Sequence, residues 1–96
     1  MLTHKKIRIG KSVVEALAIR LISKNFILLK GRKGYVMCGY LDLRSAEKFG
    51  DAAVRVTGVS TISQAVNSTV SACTSKAKKF GIRKGQAVKE ALKLLA

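Results

Sequence analysis

Ninety-six residues allow one domain with a modest core, and no apolar run reaches the ~18 residues that a membrane-spanning helix needs. Nineteen Lys and Arg against five Asp and Glu give a net charge of +14, which points to a polyanion partner or to a strongly solvated surface. Two cysteines and one histidine, His4, match neither a disulfide scaffold nor a zinc-ligand spacing, so reduced thiols, a cytoplasmic location, no metal and no cofactor are expected.

Met1 to Lys6 is polar and basic and reads as a frayed end without the apolar run of a signal peptide. Ile7 to Ile9 alternates as a short edge strand, and Gly10-Lys11-Ser12 turns the chain. Val13 to Ile22 supports two readings. Val14, Leu17, Ala18, Leu21 and Ile22 fit the stripe of an amphipathic helix, whereas Val13, Leu17, Ile19 and Leu21 share one face of a strand. Phe26 to Leu29 is a short apolar run of the buried-strand kind. Gly31-Arg32-Lys33-Gly34 reverses the chain into a second run over Tyr35–Leu41, so the pair reads as a hairpin.

Asp42 is placed to cap a helix over residues 43–49, and Gly50 to stop it. A strand over 52–57 follows, with alternating Ala52, Val54 and Val56. Thr61-Ile62-Ser63-Gln64 is a capping box opening a brief helix to Val66. Val70, Cys73, Ala77 and Phe80 fall on one helical face, giving a helix over 70–80 that Gly81 ends. A last helix over 86–95 buries Val88, Ala91, Leu92 and Leu95 and exposes Lys89 and Lys93.

The positive charge lies at the two ends of the chain. Residues 1–33 hold nine basic side chains against Glu15, residues 34–75 are balanced, and residues 76–96 hold seven against Glu90. Lys5, Lys6, Arg8 and Lys11 at one end are candidate nucleic-acid contacts. Lys76, Lys78, Lys79, Arg83 and Lys84 at the other would join them if the fold brings both segments to one face. Tyr35 and Tyr40 fall on opposite faces of their strand, so they form no stacking platform, and binding would be electrostatic.

Cys38 is the candidate nucleophile, with Arg32 and Lys33 across the turn to lower its pKa. The remote His4 makes a Cys–His pair within one chain improbable, and packing in the strand is the alternative role. Gly39 beside it interrupts the strand, a position that marks a bulge or a close backbone approach. Arg32, Lys33, Gly34, Tyr35 and Gly39 are the ligand- or anion-binding candidates, and Gly81 to Gly85 offers a second anion-binding turn. Asp42, Glu47 and Asp51 read as capping and surface groups, and Cys73 as a core residue.

With those residues read, the chain resembles the YunC-like family of small bacterial and archaeal proteins of unknown function (domain of unknown function 1805). Lys33-Gly34-Tyr35-Val36-Met37-Cys38-Gly39 followed by Leu41-Asp42 carries the resemblance, supported by Ala53, Val56, Gly58-Val59, Thr61-Ile62, Gly81-Ile82, Gly85 and Ala91-Leu92. The resemblance implies a strand over Val13–Leu21 and brings no activity with it. Gln86 stands where the family places a methionine, and the last two helices carry lysines where similar proteins are more acidic. A function of the basic surface would then be peculiar to this protein.

The expected architecture is a single α+β domain over 1–96. An antiparallel β-meander is extended by a short helical crossover to a further strand, and the later helices pack on one face of the sheet. Three functions follow: a ligand-binding or catalytic site at Lys33–Gly39, a nucleic-acid or polyanion interface, and a structural homo-oligomer that covers the sheet edges.

Overall fold

The computed structural model describes residues 2–40 and 42–96, so Met1 and the expected strand end at Leu41 lie outside the described residues. The strands are β1 (Leu2–Ile9), β2 (Ser12–Arg20), β3 (Asn25–Lys30), β4 (Gly34–Met37), β5 (Ala52–Arg55) and β6 (Ala72–Cys73). The helices are α1 (Leu43–Phe49), α2 (Ile62–Val66), α3 (Ser75–Lys79) and α4 (Val88–Leu95). One six-stranded sheet runs in the order β1-β2-β3-β4-β5-β6. Its first four strands form an antiparallel meander, α1 carries the chain to β5 parallel to β4, and β6 returns antiparallel. Among the described residues no helix is long and apolar enough to cross a membrane.

The strand implied for Val13–Leu21 is present, and its burial explains why the helical reading loses. Val14 and Ala16 are fully buried, Val13 and Glu15, which alternate with them, are exposed, and Ile22, which a helix would bury, is wholly exposed. The apolar period is therefore two.

Two expectations are corrected. Leu2 to Lys6 belongs to β1, because every residue from Leu2 to Ile9 has a register partner on β2, and alternate residues bond their backbone groups to it. Residues 70–80 are not one helix. The Ser71 N–H donates to the Arg55 carbonyl and the Thr74 N–H to the Ala53 carbonyl, so Ala72 and Cys73 lie alongside β5 as a strand. Buried Thr74 then donates its hydroxyl to the Asp51 carbonyl at 2.7 Å and accepts the Ala53 N–H at 3.0 Å. The same Oγ1 accepts from Ala77 and opens α3. Cys73 thus packs against the core from a strand rather than from a helix.

The local signals at other helix ends hold. Asp42 accepts the Arg44 and Ser45 N–H groups, and Gly50 closes α1 at φ +74°. The Ser45 hydroxyl and these N–H groups hold the Asp42 carboxyl below its usual range. Gln64 N–H donates to Thr61 Oγ1, while the Gln64 side chain accepts from Ser60 rather than from Thr61. Glu47 accepts the Ser75 N–H, which lowers its pKa and ties α1 to the start of α3.

Val14, Ala16, Ile27, Leu29, Val36, Val54 and Val56 form one core with Ile62, Ala65, Leu92 and Leu95, so α2 and α4 cover one face of the sheet. Helix α1 sits on the other face, where Ala46 meets Ala53, Tyr35 and Met37. It shields only β4 and β5 there. The same face of β1 to β3 carries exposed Leu2 and Val13 and half-buried Leu17 and Leu28.

Candidate functional site

Strand β4 is the middle of the Lys33–Gly39 segment, and its two ends open into different clefts. The first lies beyond the carboxyl ends of β4 and β5, the sheet's parallel pair, where ligands of parallel sheets are commonly held. It measures about 570 Å³. Its walls are Ser23 to Asn25 from the β2–β3 turn, Cys38 to Tyr40 after β4, and Thr57 to Ser60 after β5. Three chain reversals meet there because antiparallel β2 and β3 turn at the end where parallel β4 and β5 both exit.

Cys38 continues the ladder beyond β4: its N–H donates to the Ile27 carbonyl at 3.1 Å, and its Sγ accepts the Ile27 N–H at 3.4 Å. The side chain is 3% exposed and belongs to the main core. Gly39 turns away from that core. A Cβ built there would meet nothing within 4 Å, so the glycine is neither a bulge filler nor a close packing contact. Across the cleft the Asn25 side chain donates through Nδ2 to the Ser60 carbonyl at 2.7 Å. Its Oδ1 is buried and has no hydrogen-bond partner among the described residues. An unpaired buried amide oxygen costs about 1–3 kcal/mol. The other such atom, Arg55 Nε, lies outside the cleft.

The second cleft, about 220 Å³, lies at the amino-terminal ends of β4 and β5. Lys30 ends β3, Arg32 and Lys33 come from the β3–β4 turn, Asp51 directly precedes β5, and Lys76 comes from α3. Tyr35 donates its hydroxyl to Asp51 Oδ2 at 2.9 Å. Burial, that hydrogen bond and the Asp51 charge push the phenol up to about 12. The two turn glycines are required by close approach. A Cβ on Gly31 would stand 2.3 Å from the Leu95 carbonyl oxygen, and one on Gly34 would stand 2.1 Å from that of Ala52. Gly31 N–H donates to the Gly34 carbonyl and Lys33 N–H to the Leu95 carbonyl, each at 2.8 Å. Those two N–H groups are thereby spent on structure, and anion recognition at this turn falls to side chains.

The site residues expected from sequence are therefore divided. Arg32, Lys33, Gly34 and Tyr35 meet in the second cleft, and Cys38 and Gly39 in the first. At about 3.3 Å per residue, the five steps from Lys33 to Cys38 span roughly 16 Å, so the turn cations and the thiol belong to different clefts.

Of the nucleic-acid candidates, Lys5, Lys6 and Arg8 lie on edge strand β1. Lys76, Lys78 and Lys79 lie on α3, which packs on β5, and Arg83 and Lys84 follow in the turn before α4. Lys6 shares a concavity with Lys30 and Arg32, which in turn line the second cleft with Lys76. Lys11 lies in the β1–β2 turn, where the adjacent Gly10 approaches the Lys93 side chain. In the Gly81–Gly85 turn the Arg83 N–H is taken by Gln86 Oε1 at 3.2 Å.

Sequence reasoning passed over Asn25 and Lys30, and placed Lys76 only among the nucleic-acid candidates. Asn25 carries no local signal, because its unpaired oxygen depends on Ser60, 35 residues away. Among the described residues no cluster of three or more His, Cys, Asp or Glu side chains has the geometry to hold a metal ion.

The fold and several relatives agree with one family. The family model described as a domain of unknown function, DUF1805, matches residues 37–95, more than half of the chain. The uncharacterized protein YunC of Bacillus subtilis is 33% identical over 81 residues, covering 80% of each chain. The crystal structure of TA1206 from Thermoplasma acidophilum, a protein of unknown function, superposes with a TM-score of 0.96 at 34% identity. That superposition covers 100% of this chain and 94% of TA1206. The match over residues 37–95, together with those two relatives, places the chain in the DUF1805 family.

Proposed function

We propose that the protein binds a small molecule in the cleft beyond the carboxyl ends of β4 and β5. The observation that carries this reading is the buried, unpartnered Asn25 Oδ1 at a concave site where Gly39 leaves open space. Oδ1 is closed to solvent as it stands, so a turn of the Asn25 amide toward the cleft would bring it to a ligand donor and recover the hydrogen bond that the protein leaves unmade. The absence of a side chain at Gly39 lets a ligand approach the backbone closely. Tyr40, half exposed and 6.3 Å from the Phe26 ring, supplies an apolar wall.

Binding is better supported than catalysis. The cleft lining includes the Cys38 thiol, Lys24 and Tyr40 but neither a histidine nor a carboxylate among the described residues. A thiol reaction here would need its base from the ligand or from another subunit. Native mass spectrometry of the purified protein tests the reading. A co-purifying small molecule should be present in the wild type and absent from Gly39→Leu. Equal occupancy of both would count against the cleft.

Self-association is a second reading, favoured by the uncovered face of β1 to β3. Exposed Leu2 and Val13 there would be buried by a second copy. Glu15 lies between its register partners Lys6 and Lys30, so a two-fold contact could set opposite charges against each other. Light scattering should give a mass above one chain, and Val13→Glu should reduce it. A monomer at all concentrations would end this reading.

A further inference from the structure

We propose that the second cleft, at the amino-terminal ends of β4 and β5, binds the phosphate group of a compact phosphorylated molecule. Four cations from separate segments line it: Lys30 ending β3, Arg32 and Lys33 in the turn, and Lys76 on α3. Asp51 is the carboxylate among its described walls, and one of its oxygens already accepts the Tyr35 hydroxyl. Ion pairs among the described residues are His4–Glu15 and Lys93–Glu90, so none of the four cations is neutralised by a side chain. Gathering them around one concavity costs self-repulsion, which a doubly charged anion relieves. Arg32 offers a planar fork suited to two phosphate oxygens, and the lysines add point charges.

The platform is fixed before any ligand arrives. Gly31 and Gly34 pack against Leu95 and Ala52 with no room for a Cβ, and the Lys33 N–H is bonded to the Leu95 carbonyl. The turn that presents Arg32 and Lys33 is thereby anchored to the end of α4. Size and layout favour a compact ligand over a nucleic-acid backbone. The cleft is about 220 Å³, and the concavity next to it, where Lys30 and Arg32 meet Lys6, is also walled by Glu15 and Val13, which interrupt a purely basic track. This site is separate from the Asn25–Gly39 cleft, so either can fail without the other.

The test is a titration of the full chain with inorganic pyrophosphate, followed through its backbone amide resonances. Shifts should be confined to residues 30–35, residues 50–52 and Lys76. Arg32→Gln and Lys76→Gln should each weaken binding by about fivefold, the scale of one partly solvated ion pair. Asp51→Asn should tighten it, because it removes the opposing charge. Lys84→Gln, outside the cleft, should leave affinity within about twofold. Arg32 and Lys76 are exposed, so either variant carries the comparison if the other misfolds. Shifts spread over all basic segments, equal weakening by Lys84→Gln, or no shifts at millimolar pyrophosphate would overturn the proposal. So would binding of a single-stranded oligonucleotide without binding of pyrophosphate, which would indicate an extended polyanion.

Discussion

Gly31 and Gly34 stand at one end of β4 and Gly39 at the other, and only the first two are there because nothing larger fits. At the amino-terminal end the backbone is pressed against Leu95 and Ala52, and its N–H groups are spent on structure. At the carboxyl end the glycine faces open space, and a buried amide oxygen lacks a partner. Function at the first end must come from charged side chains on a rigid turn. At the second it comes from backbone access and unmet hydrogen bonding. A string that reads as one motif in sequence serves two different sites.

The largest effect expected is on the helix that anchors the rigid end. Leu92→Ala removes a fully buried side chain of α4 and should destabilise by about 2–5 kcal/mol in denaturant unfolding. Lys93→Ala, on the exposed side, should change stability by less than about 0.5 kcal/mol. Equal costs would mean that α4 does not hold the turn as described.

The glycines break the comparison most cleanly. Gly31→Ala forces a Cβ into the Leu95 carbonyl and should cost about 1–3 kcal/mol or more. Gly39→Ala meets no atom and should stay within about 0.5 kcal/mol of wild type. A large loss at Gly39 would make it a structural glycine and weaken the cleft.

Thiol chemistry sharpens the same contrast. Cys38 is buried and far along the strand from Arg32 and Lys33, and burial raises the pKa of Cys73. Both should alkylate more slowly than free cysteine at neutral pH in the folded protein. Rapid, selective labelling of Cys38 would give the cleft a nucleophile and turn a binding site toward catalysis.

The smallest effect is in the pH dependence. Tyr35 titrates near 12 when folded, above its ordinary value of 10. The folded state therefore holds the phenolic proton more tightly, and its stabilising contribution is complete below pH 10 and lost as pH rises through about 12. In a Tyr40→Phe background, phenolate absorbance should report this late titration, and Asp51→Asn should move it downward. An unchanged midpoint would remove the Tyr35–Asp51 bond from the basic cleft.

Much of this architecture was legible in local signals. Asp42, Gly50 and Thr61 mark helix ends through contacts within a few residues, and the stripe of α4 is a simple period. Val13–Leu21 was not settled by period alone, because Leu17 and Leu21 serve both patterns, and the family resemblance supplied the strand. Residues 70–80 misled because Val70, Cys73 and Ala77 are all core residues at helical spacing, while their backbone bonds go to β5. Leu2–Lys6 looked frayed because its strand character comes from β2. For the site, Cys38 and Gly39 were visible, but Asn25–Ser60 and the company of Lys76 depend on contacts across the chain. The charge asymmetry was plain in sequence, but that Lys6 and Lys76 both adjoin the Lys30–Lys33 turn follows only from the fold.

Amide-resonance mapping with the small-molecule fraction of a cell extract tests ligand binding at the carboxyl end of β4 most directly. Binding there predicts shifts at residues 23–25, 38–40 and 57–60 that vanish in Gly39→Leu while the folded spectrum persists. Shifts elsewhere, or shifts at those residues that survive Gly39→Leu unchanged, would contradict it.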